Sequence, residues 1–210
     1  MAEETRLARE RETINAFSDF GNVYNFKKDF NYSYKTEAGL TEDIVREISG
    51  QKDEPAWMLE ERLKSLELFY TIDYPDWGPD ISELQMDNII TYVRPDAGLK
   101  ADWSEVPEDI KDTFDRLGIP EAEKTSLAGV GAQYDSEVVY HSIQEELVKQ
   151  GVVYTDFDTA LKEHEDIVRK HFMKLIPPTD HKFAALHGAV WSGGSFVYVP
   201  AGVDVKIPLQ

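Results

Sequence analysis

Apolar residues recur with helical spacing through most of the first 180 positions. Thr41 is a suitable N-cap, and the apolar positions within 44–48 form one edge behind it. A stronger helix is predicted to begin at Pro55, because proline in the first helical position sacrifices no hydrogen bond. It is expected to end before Tyr74, where proline and glycine accumulate.

The middle of the chain follows the same pattern, with short interruptions. Proline and glycine bound a predicted helix that begins at Pro107 and ends before Gly118. Two further helices and two short strands are predicted, with Gly129-Val130-Gly131 as a hinge between helices. The helices run from about Ser136 to Gln150 and from Asp156 or Asp158 to Leu175, and the strands are Asn88–Val93 and Val152–Tyr154.

From about Lys182 the pattern changes to one that favours strands. The segments 183–186 and 189–191 are rich in large apolar residues, and two strands at 196–199 and 203–207 flank the turn around Pro200 and Gly202. Two strands alone are at best marginally stable in water. The segment is therefore expected to be poorly ordered, or to pair through an open edge with a partner or another copy.

These patterns predict an α+β chain that is mainly α. Residues 1–38 form an N-terminal arm that is partly disordered, and scattered aromatic residues fasten it to the rest. Residues 39–180 form a helical domain. Residues 181–210 begin a β domain that is truncated.

Composition narrows the possible partners. With 22 basic and 40 acidic residues the formal net charge is -18, which repels phosphate backbones and anionic membrane surfaces. We therefore expect no nucleic acid and no membrane as partners. No apolar run approaches the roughly 20 residues needed to cross a bilayer, and the first residues do not resemble a signal peptide. A cytoplasmic location is the expectation.

Candidate chemistry is sparse, because the chain contains no cysteine. This excludes disulfides, thiolate metal sites and cysteine nucleophiles within it. His164-Glu165 begins like a zinc-protease motif, but Val168 stands where the second histidine is required and His171 alone is a weak substitute.

Two further patterns resemble sites without completing them. Gly194, Pro200 and Gly202 fit the glycine and proline positions of a cupin motif, but Val205 occupies the position of the metal-binding histidine. Paired carboxylates such as Asp156 and Asp158 lie where helices usually carry caps or solvated charge. We predict no catalytic residue, no cofactor-binding residue and no metal ligand on this chain.

Several long blocks of the sequence are similar to a known family. The chain resembles, from about residue 39 to 210, the N-terminal region of SufB, the scaffold subunit of the SUF system for iron–sulfur cluster assembly. The blocks that carry the resemblance are Gly39–Ile48, Glu54–Glu60 with Arg62–Lys64, Leu117–Glu123, Leu127–Tyr134, Ser136–His141, Lys182–His187 and Val190–Pro200.

The resemblance implies a helical N-terminal domain that leads into a right-handed parallel β-helix, whose first strands would lie within 181–210. It implies a scaffold that is not an enzyme and that acts in a complex with a SufC-like ABC-type ATPase and a SufD-like subunit. The full-length family holds an iron–sulfur cluster, with the residues responsible lying beyond Gln210. We therefore expect no cluster on these 210 residues.

Two alternatives stay open at the level of sequence. The chain could be a stand-alone acidic module for protein–protein interaction, with no cluster chemistry, which self-associates or binds partners through its open β edge. It could also be a fragment of a cupin-like metalloenzyme, in which His187 would be the residue to test for metal binding.

Overall fold

The computed structural model describes residues 32–81, 83–100, 102–116, 129–206 and 208–209. Helices and strands alternate along this part of the chain, and two short 3₁₀ helices lie at Met86–Asn88 and Trp103–Glu105. The helices are α1 (Glu42–Gln51), α2 (Ala56–Thr71), α3 (Glu108–Arg116), α4 (Glu145–Lys149), α5 (Phe157–Glu163), α6 (Glu165–His171) and α7 (Lys182–Val190). The strands are β1 (Tyr32–Lys35), β2 (Val93–Pro95), β3 (Gly129–Tyr134), β4 (Glu137–Ile143), β5 (Val153–Asp156) and β6 (Ser195–Tyr198).

The first two helices form as the sequence predicts. The hydroxyl of Thr41 accepts a hydrogen bond from the backbone N–H of Ile44 at 3.2 Å, so it caps α1. Pro55 is the N-cap of α2, one position before the predicted place, and α2 ends at Thr71. The predicted helix after Pro107 is confirmed as α3.

Helix α7 overturns the prediction that residues 183–186 and 189–191 favour strands. It begins after His181, whose Nδ1 accepts hydrogen bonds from the N–H groups of residues 183 and 184. Ala185 and Ala189 lie on one face of α7 and are fully buried. A Cβ on Gly188 would lie 2.4 Å from the hydroxyl oxygen of Ser65 in α2. Small residues therefore let the two helices approach closely.

Strand β6 has a partner within the chain, so the prediction of unpaired terminal strands is wrong. It pairs antiparallel with β5, and the register runs from Val153 opposite Tyr198 to Asp156 opposite Ser195. The predicted turn is present, since Gly202 has a φ of 85° and the N–H of Val203 donates to the carbonyl of Pro200. No strand follows it within 203–206.

The region from 129 to 143 also differs from its prediction. The expected glycine hinge is the start of β3, and the first half of the predicted helix 136–150 is β4. The two strands form an antiparallel hairpin whose turn contains Asp135 at a φ of 50°. Only α4 remains of the predicted helix.

Smaller differences concern element boundaries. The predicted strand 88–93 is shifted, since β2 begins at Val93 and pairs antiparallel with β1. The predicted extended piece at 152–154 is confirmed as β5. The long helix predicted up to Leu175 is two helices, α5 and α6, that meet at His164.

The described part of the chain is a mixture of helices and small antiparallel sheets, which confirms the helix-rich α+β prediction in its coarse form. Each of its three sheets has two strands, and none of these pairs is parallel. The largest contact between helices joins α2 and α7, around a core that includes Leu66 and Phe69. Most of the predicted arm 1–38, and the blocks Leu117–Glu123 and Leu127–Ala128, lie outside the described residues.

Candidate functional site

Lys52 is the centre of a group of charged side chains that the fold collects from distant parts of the sequence. It is the C-cap of α1, and its side chain has no exposed surface. Its ammonium nitrogen lies 2.6 Å from Asp158 Oδ2 and 3.4 Å from Glu137 Oε1. We call Lys52, Tyr92, Arg94, Glu137 and Asp158 the Lys52 cluster.

Glu137 connects the members of this cluster. Its Oε1 accepts a hydrogen bond from the hydroxyl of Tyr92 at 2.5 Å and lies 3.5 Å from Nε of Arg94. Arg94 also donates to the carbonyl of Gln51, which holds β2 against the end of α1. Burial and the neighbouring carboxylate of Glu137 raise the pKa of Tyr92 well above its ordinary value, so the phenol stays protonated.

Asp158 is held in place by the start of α5. The carboxylate of Asp156 accepts a hydrogen bond from the N–H of Thr159 at 2.9 Å and caps the helix, as the sequence predicts for this pair of carboxylates. Asp158 follows in the first turn and faces Lys52. Burial raises its pKa and the ammonium of Lys52 opposes the shift, but burial is the larger cause. Its Oδ1 is buried without a hydrogen-bond partner.

Three members of the cluster, Arg94, Glu137 and Asp158, line a polar cleft of about 380 Å³. The cleft is lined by Ser33, Arg94, Pro95, Asp96, Ala97, Gly98, Leu99, Glu137, Val138, Asp156 and Asp158.

The chemistry of the Lys52 cluster is limited because its two cations and its two carboxylates already neutralise one another. The ammonium of Lys52 is shared by two carboxylates, and the Tyr92 hydroxyl is donated to one of them. A nucleophile and a general base within hydrogen-bond reach of each other are not among the residues that line the cleft. The arrangement supports a structural role or the binding of a small polar group.

A second buried cation, Arg62, lies on α2. Arg62 donates to both carboxylate oxygens of Glu54, at 2.7 and 2.6 Å, and to the carbonyls of Ala189 and Trp191. Its guanidinium carbon also lies 4.4 Å from the centre of the Trp191 ring. We call Arg62, Glu54 and Trp191 the Arg62 anchor. It ties the end of α7 to α2 and fixes where the chain leaves toward β6.

The histidines considered for metal binding are not brought together. His164 lies at the junction of α5 and α6, with its ring stacked on Phe196 at 5.7 Å. His171 is exposed at the end of α6. Across the described ranges, no group of three His, Cys, Asp or Glu side chains is placed to hold a metal ion. Val205, at the cupin position, packs against the apolar pair Leu147 and Val152.

The sequence of the chain is similar to one protein family and to several known proteins. Residues 46–210 match the family described as the SufBD protein N-terminal region. The chain belongs to the SufBD family. It is 60% identical over 177 residues to the iron-sulfur cluster assembly protein SufB of Bacillus subtilis, an alignment that covers 84% of this chain and 38% of that protein. It is 54% identical over 187 residues to an iron-sulfur cluster assembly SufBD family protein of Staphylococcus aureus, covering 89% of this chain and 40% of that protein.

The residues that match the SufBD family include the Lys52 cluster and the Arg62 anchor, since Lys52, Arg62, Glu137 and Asp158 all lie within 46–210. Sequence reasoning found neither of them. Lys52 and Asp158 are 106 residues apart, and Arg62 and Trp191 are 129 apart, so no local spacing indicates the contacts. The chain spans about two-fifths of the length of the relatives that it matches.

Proposed function

We propose that this chain is the N-terminal region of a SufB-type scaffold for iron–sulfur cluster assembly. The observation that carries the proposal is the 60% identity to a protein named for that process, together with the family match over 46–210. In this proposal the chain has a binding and positioning role within the scaffold and does not catalyse a reaction. The neutralised charges of the Lys52 cluster and the closed geometry of the Arg62 anchor support this.

The finer parts of the proposal concern the whole protein. The scaffold works in the cytoplasm with a SufC-like ABC-type ATPase and a SufD-like subunit. The iron–sulfur cluster belongs to the portion of the family's chain that residues 1–210 do not cover, and so does the parallel β-helix beyond its first strands, which would lie within 181–210. The absence of cysteine from these residues agrees with this division. The division into 1–38, 39–180 and 181–210 stays a prediction. No helix among the described residues has the length and apolar character to cross a lipid bilayer.

A chimera tests the proposal directly. The segment of Bacillus subtilis SufB that aligns with this chain is replaced by this chain, and the product is expressed in cells that lack their own SufB. We expect the chimera to restore the activity of iron–sulfur enzymes to at least about half of the level given by the unaltered relative. A chimera that accumulates, folds and binds the relative's own partners without restoring these enzymes would contradict a scaffold role. The chain would then be an interaction module alone.

A further inference from the structure

The loop after α6 exposes two large apolar residues at its tip. Leu175 is 97% exposed and Ile176 is 67% exposed. The base of this loop is firmly held, since Phe172 and Met173 pack against the apolar cluster of Met58 and its neighbours. Met173, just before the tip, has a φ of 52°, in the left-handed region. An anchored loop that presents bare apolar side chains is typical of a contact surface.

Lysine and arginine side chains flank the tip, in a chain whose net charge is -18. Lys170 and Lys174 are exposed, and the exposed Arg169 pairs with Glu165 at 3.3 Å. Neither Lys170 nor Lys174 has an ion pair with another described residue. We call residues 169–176 the basic tip. A surface complementary to the basic tip would have apolar residues at its centre and carboxylates around them.

Such a surface lies on the same molecule, along the exposed side of α2. A groove of about 670 Å³ has Leu63, Leu66 and the 62% exposed Tyr70 among its lining residues. Three carboxylates, Glu42, Glu60 and Glu67, line it as well. We call it the acidic groove. It also contains Lys64, but the ammonium of Lys64 is already held by Glu61 at 2.9 Å.

The groove and the tip are next to each other. Glu60 lines the acidic groove and also a second pocket, of about 330 Å³, formed with Trp57, Lys174 and Pro177. Both features therefore lie on one continuous face of the molecule. A two-fold axis through that face can bring the tip of each copy to the groove of the other, which is the arrangement of a closed symmetric dimer.

We propose that the chain dimerises through this face, with the basic tip of each copy in the acidic groove of its partner. This goes beyond the proposed scaffold function and does not depend on it. The occupant is a second copy because the charges and apolar surfaces of groove and tip match. An anionic membrane fits less well, since the chain as a whole is strongly negative. The contact is small, so we expect a weak and salt-sensitive dimer.

Sedimentation equilibrium over a range of protein and salt concentrations tests the proposal. We expect a monomer–dimer equilibrium whose dissociation constant rises with salt. Leu175→Ser is expected to raise that constant by about tenfold or more, because it removes one exposed apolar anchor from each of two contacts. Val148→Ser is the matched control, since Val148 is 53% exposed on α4 and lies in neither the tip nor the groove.

Charge reversal provides a second and sharper test. Lys174→Glu alone and Glu67→Lys alone should each weaken the dimer, and the two together should recover most of the loss, because the attraction is restored with its signs exchanged. Circular dichroism confirms that each variant is folded. A chain that is monomeric at every concentration, or a dimer that Leu175→Ser leaves unchanged, would overturn the proposal. So would a monomer whose binding to anionic phospholipid vesicles is lost in Leu175→Ser, which would assign the tip to a membrane.

Discussion

Arg62 and Lys52 both have side chains with no exposed surface, yet the molecule neutralises them in different ways. The carboxylate of Glu54, which pairs with Arg62, is only 1% exposed, and two backbone carbonyls and an aromatic ring complete the shell. Lys52 instead relies on carboxylates that are 16% and 27% exposed and that border a cleft. The first site is closed to water, and the second is open on one side.

This difference indicates what each site does. A planar guanidinium with fixed donors suits a closed site, because every donor direction is matched by an acceptor. The Arg62 anchor therefore sets the position of α7 and of the chain beyond it. The ammonium of Lys52 joins α1 to β4 and α5, Arg94 adds β2, and the carboxylates keep contact with solvent. The Lys52 cluster should therefore contribute less to the free energy of unfolding than the Arg62 anchor does, and its contribution should depend on pH.

The largest effect is expected from Arg62→Ala, which would leave Glu54 as an unpaired buried charge. Removal of one partner of a buried ion pair typically costs about 3–5 kcal/mol, and two carbonyls here lose their donor as well. The free energy of unfolding, measured by urea denaturation, is expected to fall by about that amount. Near-ultraviolet circular dichroism should also change, because Trp191 loses the guanidinium stacked on its ring.

Lys64→Ala is the matched control for this prediction. Lys64 is two residues away on α2, and its ion pair with Glu61 is exposed and screened by solvent, so its loss should cost far less than the loss of Arg62. If Arg62→Ala and Lys64→Ala destabilise the chain equally, the closed site is no stronger than a surface pair and the comparison fails.

The helices that the Arg62 anchor joins, α2 and α7, show which elements could be predicted from the sequence and which could not. Helices α1 and α2 were predictable because a capping threonine, a proline and one apolar edge all indicate the same structure. Helix α7 was not, because Phe183 and Trp191 suggested strands. Alanine favours helices, however, and the run Ala184-Ala185-Leu186 was the signal that could have corrected the prediction.

The prediction of a helix where the hairpin β3–β4 lies was wrong for a different reason. Val139 and Ile143 are four residues apart, a spacing that fits one face of a helix and equally one face of a strand. Pairing with β3 decides between them, and the sequence does not show pairing directly. The same limit applies to the candidate site, since Lys52 meets Glu137 and Asp158 only because these strands and helices assemble around it. The capping role of Asp156 is local and was predictable.

A smaller effect is expected from Lys52→Met, which keeps the length of the side chain and removes its charge. Asp158 then loses its cation and Glu137 keeps only Arg94, at 3.5 Å, but both carboxylates retain some contact with water, which reduces the cost. We expect the free energy of unfolding to fall by about 1–3 kcal/mol in urea denaturation.

Lys162→Met is the control for Lys52→Met. Lys162 forms an exposed ion pair with Asp53 at 3.1 Å, so its loss should change stability by less than about 1 kcal/mol. A Lys52→Met variant that is destabilised as much as Arg62→Ala would show that the Lys52 cluster is effectively closed, and that its cleft does not admit water.

The smallest effect, and the one that depends on pH, is expected from Asp158→Asn. Because burial raises the pKa of Asp158 in the folded chain, the folded state binds this proton more tightly than the unfolded state does. The stability that this provides is fully present below the ordinary pKa of aspartate, about 3.9, and is lost as pH rises through the folded pKa. Asparagine does not titrate, so the native chain should lose stability relative to the variant as pH rises from the acidic range toward neutrality.

Denaturant unfolding of both proteins at a series of pH values measures this difference. Asp53→Asn is the control, since Asp53 is exposed and its φ of 50° is a conformation that asparagine also adopts readily. Its difference from the native chain should vary much less with pH. A native chain that instead gains stability over Asp158→Asn with rising pH would mean that the attraction of Lys52 outweighs burial. The open site would then behave as the closed one does, with the ion pair as its main source of stability.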